Sequence, residues 1–464
     1  MTRTAAKPPT AVNGGPRADL VAAGTAALLV AVAAVVGVRL LADGVPLHVD
    51  APPLYAQWLP HTGPGTFPAV LIALLVVLRG PELAARLPWR PLLALSAVAS
   101  LAWTISLALI DGWRRGVVDR LTARLEYLHD VPRVQDVGAM LRTFTEHIVG
   151  LGPGSWTTHV AGHPPGALLV FVGLDRLGLP GGVPAAMLCI LVGSTAGVAV
   201  AVALRALGAP AVARAALPFG VLWPGAIWVG VSADGLFAGV LAWGVALLAI
   251  GMARQRLDLP AVAASGAGGL LLGATLFLSY GLVLAGLLPL AVAVATRRVA
   301  PLLVVGAGVV TVVAVFAAAG FWWLDGYQQL VIRYYQPGEY GLVRPYGYWV
   351  WANLACLVIV LGPAGVAGLR RVFAPGGLAA VRDLSHCGWR YLKSAQLLCA
   401  AAMLAVLVAD LSGLSKAEVE RIWLPFAVWL TAGTGLLPAR QARWWLAGQA
   451  VLALAVNHLL LTTW

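Results

Sequence analysis

Residues 21–41 read VAAGTAALLVAVAAVVGVRLL. An α-helix rises about 1.5 Å per residue, so a run of this length matches the roughly 30 Å hydrocarbon core of a bilayer and predicts a membrane-crossing helix. The run is long for the core of a signal peptide and lacks a convincing small-x-small cleavage site before VPLHVD (45–50). The stretch before it is polar, basic and rich in Pro and Gly, and residues 1–19 are expected to form a disordered cytoplasmic tail.

The rest of the chain repeats this pattern. Of its 464 residues, 60% are hydrophobic and 11% charged, against roughly 25% charged in an ordinary soluble domain. Mean hydropathy is +0.86. The expected fold is therefore all-α: a polytopic helical protein with about 13 membrane helices, residues 20–464 forming a single transmembrane domain. The net charge of +12 comes from short Lys and Arg clusters between apolar runs rather than from one basic face. That pattern fits membrane orientation and excludes a nucleic-acid partner. Cys189, Cys356, Cys387 and Cys399 have no paired spacing, so neither a disulfide framework nor a zinc site is expected.

Orientation follows from the basic residues. Arg3, Lys7 and Arg17 place the N-terminus inside; the loop 42–65 has neither Lys nor Arg and belongs outside. Helices at about 65–79 and 91–110 then leave the segment 111–163 external. Its pattern VVDRLTARLEYLHDV (117–131) followed by VQDVGAMLRTFTEHIVGL (134–151) alternates apolar and charged positions at helical spacing. Two amphipathic helices lying in the interface plane are expected, with arginines facing anionic headgroups or a lipid-linked phosphate. Further clusters at 253–256, 296–298, 369–371, 390–393 and 439–443 mark cytoplasmic turns. The intervening tips, SADG (232–235), LSYG (278–281), 321–348 and 409–423, face outward.

Threaded this way, nearly all unusual polar residues gather on the outer side, and a cavity open to that side is the economical inference, because ionisable groups near membrane depth usually pair or line a functional cavity. Asp234 precedes a long apolar run and is either a helix cap or a cavity ligand. Glu126, Asp130 and Asp136 are the candidate catalytic acids of the long loop. HVAGHPPG (159–166) starts a helix at its Pro-Pro pair. His159 and His163 either cap that start or add donors to a place suited to an anion. Tyr280 belongs to the LSYG tip. RYYQPGEYGLVRPYGYW (333–349) clusters tyrosines with Arg344; Tyr346 and its neighbours suit an interfacial belt or a sugar. In SKAEVERIW (415–423), Ser415 to Glu418 forms a capping-box pattern. Arg421 opens an apolar helix where the dipole disfavours a cation, a conflict that Glu420 or a lipid phosphate would resolve.

This layout resembles the GT-C superfamily of membrane glycosyltransferases, which includes protein O-mannosyltransferases, aminoarabinose transferases and arabinofuranosyltransferases. The resemblance spans about residues 90–350: a helix at 91–110, an acidic external loop with Glu126, Asp130 and Asp136, and a helix opened by His163-Pro164-Pro165, with Asp234 and Tyr280 at later tips. It implies transfer of a sugar from a polyprenyl-phosphate donor to a glycan, lipid or protein acceptor at the outer face of a plasma membrane. Glu126 or Asp136 would serve as base, and Arg421, Arg344, His163 and Tyr280 would hold the phosphate. Some relatives use a divalent cation such as Mg or Mn; the oxygen spacing here fixes no metal site. No adjacent acidic pair opens the loop, so the base stays open among the three carboxylates. The alternatives are a secondary transporter or lipid flippase, for which internal repeats are expected, and a structural partner whose site has decayed.

Overall fold

The computed structural model describes residues 15–339, 341–374 and 389–464, the last stretch without the side chains of 389–393. The tail residues 1–14, Tyr340, Cys387 and the side chains of RYLK (390–393) lie outside the described residues. The protein is all-α in architecture, a polytopic helical membrane protein. Among the described residues nine helices are long and apolar enough to cross a membrane: Pro16–Ala42, Thr66–Arg86, Trp89–Ile110, Gly182–Ala206, Ala233–Ala253, Leu259–Leu278, Ala300–Ala318, Tyr346–Phe373 and Ser394–Leu411. Tyr280–Thr296 and Leu424–Leu436 are shorter apolar helices.

Small residues let these helices approach closely, which is the main source of helix association where lipid is as apolar as Leu. Gly269 and Gly308 face each other where Leu259–Leu278 crosses Ala300–Ala318. A Cβ at Gly269 would sit 2.4 Å from the Val305 carbonyl oxygen, and one at Gly308 would sit 2.8 Å from the Gly269 carbonyl carbon. The long helix Tyr346–Phe373 is broken at Gly362, whose φ of +69° is open to glycine, just before Pro363. Buried Gln449 repairs the break: its Oε1 accepts from the Ala364 N–H at 3.2 Å and its Nε2 donates to the Leu361 carbonyl at 2.9 Å. A polar side chain deep in the bundle is thus explained by backbone groups that would otherwise be orphaned.

The first helix begins at Pro16, earlier than the expected boundary at residue 20. The reason is Asp19, fully buried in the first turn, where the Arg371 fork grips it (Nη2 to Oδ2 2.5 Å) together with Arg370 (2.8 Å). Two arginines of the 369–371 cluster are therefore structural partners of the first helix.

Residues 111–163 depart most from expectation. No continuous helix runs through 117–131; the chain makes a turn of π-helix over Arg114–Val118 and 3-10 turns at Tyr127–His129 and Val131–Arg133. The helical spacing there is overridden by side chains that bind backbone. Buried Asp130 accepts from the Thr157 N–H (2.8 Å) and from Arg133 (2.7 Å), and Arg133 also donates to the carbonyls of Ser155 and Gly154. Within 134–151 only Val137–Thr143 is α-helical, continued by a 3-10 turn to His147. Arg120 is buried and Arg133, though exposed, clamps the loop, while Arg114, Arg115, Arg124 and Arg142 are exposed.

Between His163 and Arg205 the chain has a 12-residue helix, Pro165–Arg176, and then Gly182–Ala206. Arg176 donates to the Gln135 carbonyl, so both ends of the shorter helix stay against the 111–163 segment. The remaining organiser is a two-stranded antiparallel pair, Ala56–Trp58 with Leu460–Thr462, in register Ala56↔Thr462, Gln57↔Leu461 and Trp58↔Leu460. Arg120 Nη1 donates to the Thr462 carbonyl (2.5 Å) and its Nη2 pairs with Asp111. Asp111 in turn meets His61 Nε2 at 2.6 Å. The 42–65 loop, the 111–163 segment and residues 460–464 consequently share one end of the bundle.

Candidate functional site

At that end a buried cluster forms around Arg421. Residues 411–418 leave the Trp389–Leu411 helix, turn at Gly413 and reach the short helix Val419–Ile422, which leads into Leu424–Leu436. Arg421 Nη1 donates to Asp234 Oδ2 at 2.6 Å, and Nη2 donates to Glu418 Oε2 at 2.8 Å and to His159 Nε2 at 2.9 Å. The Trp464 ring covers the guanidinium, with Cζ 3.9 Å from the ring centroid. This partnership resolves the cation at a helix N-terminus: three carboxylates and an aromatic face outweigh the dipole. Arg421 accordingly holds its proton even more firmly than an ordinary arginine, because Asp234, Glu418 and Glu126 outweigh the burial that opposes its charge.

A guanidinium can only donate, so His159 Nε2 presents its lone pair and Nδ1 carries the proton. Nδ1 lies 2.9 Å from Glu126 Oε1, and the same oxygen accepts the Trp464 indole N–H at 2.7 Å. Burial raises the Glu126 pKa, but His159, Arg421 and the indole N–H together hold it below the usual carboxylate value. His159 sits in the turn Thr158–Ala161, and its carbonyl takes the His163 Nδ1–H at 2.7 Å. Burial pushes His163 down to about 4 despite Asp234 nearby, leaving it a neutral ring. Tyr127 packs against both imidazoles, 6.1 Å from His159 and 5.6 Å from His163 between ring centroids.

Ser232, not Asp234, caps the Ala233–Ala253 helix, accepting from the Gly235 N–H at 3.2 Å. The Asp234 carboxylate is thereby left for Arg421. The capping-box pattern at Ser415–Glu418 does not form either. Glu418 takes a left-handed φ of +62° and bridges Arg421 to Arg344, its Oε1 accepting from Arg344 at 3.2 and 3.3 Å. Burial raises Glu418, yet the two arginines hold its carboxyl down to about 2. Glu420 faces away from this bridge, fully buried, with Oε1 accepting from the Tyr55 N–H at 2.8 Å and Oε2 without a partner. Burial pushes it up to about 7.

The cluster therefore brings together Glu126, His159, His163, Asp234, Arg344 and Arg421, whereas Glu420 is buried beside it and turned to the Tyr55 amide. Four other candidates lie elsewhere. Asp130 is a loop clamp, and exposed Asp136 caps the Val137–Thr143 helix through the Ala139 N–H (2.7 Å). Tyr280 is buried beside Trp323 and Tyr327, and half-exposed Tyr346 donates to the Leu411 carbonyl at 3.2 Å. Residues that sequence reasoning did not place in the site are Glu418, read as a cap; Tyr127, one aromatic in an apolar pattern; and Trp464, which no motif marks.

The site is closed. Beside Asp234 lies a hollow of about 30 Å³, lined in part by Ser415 and Ile422, room for a water or two. A hollow of about 550 Å³ lies between the 111–163 segment and Pro165–Arg176, lined by Leu128, His129, Phe171, Leu174 and Pro180. Tyr127, which packs on both histidines, also meets Phe171 of this lining in a tilted contact, ring centroids 5.3 Å apart. Among the described residues no group of three or more His, Cys, Asp or Glu is placed to hold a metal ion, and the carboxylates that would have to serve already share Arg421. The donor set does not fit a divalent cation. No protein-family model, curated protein or solved structure matches the chain.

Proposed function

We propose that the protein is a membrane glycosyltransferase that moves a sugar from a polyprenyl-phosphate donor to a glycan, lipid or protein acceptor at the extracytoplasmic face of the plasma membrane. The single observation that carries this reading is the convergence of Glu126, His159, Asp234 and Glu418 on Arg421, with Arg344 on the other side of Glu418, at one end of the bundle. The reaction needs a carboxylate to take the acceptor proton and cations to receive the leaving phosphate. In the proposed step Glu126 accepts the hydroxyl proton as the acceptor oxygen bonds to the anomeric carbon. The bond from that carbon to the phosphate oxygen breaks, and its electron pair leaves with the phosphate toward Arg421 and Arg344. His159, held between Glu126 and Arg421, orients the base.

The reading includes 13 crossings: the nine span-length helices, 210–229, Tyr280–Thr296, Leu424–Leu436 and Ala442–Leu459. Counting from an inside N-terminus puts the Arg421 end outside, and Arg79, Arg86, Arg254, Arg297 and Arg370 at the opposite end agree with cytoplasmic placement.

The test is sugar turnover in proteoliposomes holding a radiolabelled polyprenyl-phosphate sugar together with an envelope glycan and lipid extract that supplies the acceptor hydroxyl. Wild-type protein is expected to release polyprenyl phosphate, and Glu126→Gln to lose at least about a hundredfold in rate while its melting temperature is retained. Absence of turnover, together with solute or lipid flux across the same vesicles, would replace this reading by the transporter alternative.

A further inference from the structure

We infer that Glu418 is an internal stand-in for the substrate phosphate, occupying a two-arginine anion site that a phosphate ester fills only by displacing it. This inference rests on the proposed function and specifies how its site is filled. Three observations carry it.

The first is charge. Glu126, Asp234 and Glu418 already face two guanidiniums, Arg421 and Arg344, with Lys416 alongside, its Nζ donating to the Gly341 carbonyl at 2.6 Å. A phosphate added to this set would bring further negative charge into a buried, weakly screened place. If it takes the position of Glu418, the balance at the two arginines is kept, and its oxygens reproduce the bridge that Oε1 and Oε2 now make. The second is space. The hollow next to Asp234, about 30 Å³, is too small for a phosphate ester and is lined in part by Ser415, three residues before Glu418, so a ligand gains room when this segment moves.

The third is the backbone. Ala417 and Glu418 are consecutive non-glycine residues in the left-handed region, φ +65° and +62°. That conformation is disfavoured for each and persists because the surroundings impose it. Asn353 is the main restraint, donating to the Ser415 carbonyl at 2.8 Å and accepting from the Ala417 N–H at 3.3 Å. Relaxation of 417–418 would carry the Glu418 carboxylate off the arginines. Glu418 is also the most exposed carboxylate of the bridge, its side chain 16% accessible against 5% for Glu126 and 4% for Asp234. The Nε–H of Arg421, buried without an acceptor, is a further donor for the incoming oxygens.

The experiment measures binding of farnesyl phosphate, with farnesol as control, to the full chain in nanodiscs. Glu418→Gln weakens the internal bridge and is expected to bind farnesyl phosphate about tenfold more tightly than wild type. Ala417→Gly removes the penalty of the closed backbone and is expected to bind about fivefold more weakly, a change of opposite sign that needs no charge substitution. Wild-type binding that is unchanged or weakened in Glu418→Gln, or unchanged in Ala417→Gly, would overturn displacement and leave the phosphate site standing. Preference for farnesyl phosphate over farnesol in neither wild type nor Glu418→Gln would overturn the phosphate reading itself, and displacement with it.

Discussion

The Trp464 indole lies over the Arg421 guanidinium at 3.9 Å and, from the same position, gives its N–H to Glu126 at 2.7 Å. One side chain therefore covers the cation and orients the proposed base. Trp464→Phe keeps a ring over Arg421 and removes the donor to Glu126. The Glu126 carboxyl should then titrate higher, and the acid limb of the rate profile for sugar transfer should move to higher pH. An unshifted limb would show that the indole N–H sets nothing at Glu126.

Glu418 and Glu420 should leave opposite marks on stability. Glu418 is held down to about 2 from the 4.5 of a free glutamate, so the unfolded chain takes up its proton first as the pH falls. Its stabilisation is complete above about pH 4.5 and is lost on the way to pH 2. Thermal unfolding of Glu418→Gln should therefore depend less on pH than wild type across that window. A parallel dependence in the two proteins would count against the paired state of Glu418.

Glu420, pushed up to about 7 by burial, keeps its proton in the folded chain at pH values where the unfolded chain has released it. Stability then declines as the pH rises from about 4.5 to 7. Glu420→Gln, which carries no such proton, is expected to melt higher than wild type at pH 8 and close to it at pH 4. Melting curves that differ from wild type equally at both values would contradict this.

Arg421 and Asp234 form a buried pair, and removing either partner leaves the other charge without its closest counterion. Arg421→Gln and Asp234→Asn should each cost about 3–5 kcal/mol, and the double variant much less than their sum. Unfolding free energies from denaturant titration of the four proteins give the coupling directly. Additive losses would mean that the pair is not an energetic unit.

Sidedness can be read by labelling. With the native cysteines replaced, a cysteine at exposed Asp136 should react with an impermeant maleimide on intact cells, and one at Arg254 only after permeabilisation. Reaction of both from the same side would reverse or break the proposed threading.

The apolar helices were legible because length and composition alone decide whether a segment can cross a bilayer. Glu126, His159, Asp234 and Arg421 stood out as ionisable exceptions at the ends of apolar runs, and they are in contact through Arg421 and His159. Asp130, Asp136 and Tyr280 carried the same kind of signal, yet backbone amides or aromatic neighbours hold them elsewhere. Local sequence does not distinguish a carboxylate that faces a cluster from one that caps a turn. Glu418 shows the converse: its Ser-x-x-Glu spacing describes a cap, and only the left-handed backbone at 417–418 turns it toward the arginines. Trp464 is one of 18 tryptophans, and its role depends on a strand partner some 400 positions away. Helical periodicity does not decide the 117–131 segment, because Asp130 and Arg133 bind an amide and carbonyls of 154–157, long-range bonds that outweigh it.

The pairing of 56–58 with 460–462 also bears on biogenesis. As the chain leaves the ribosome, its early helices enter the bilayer long before residues 460–464 are synthesised. Trp464 is thus the last of the residues around Arg421 to be made. The cover over Arg421 and the indole N–H to Glu126 therefore form only once segments from both ends of the bundle's sequence have met.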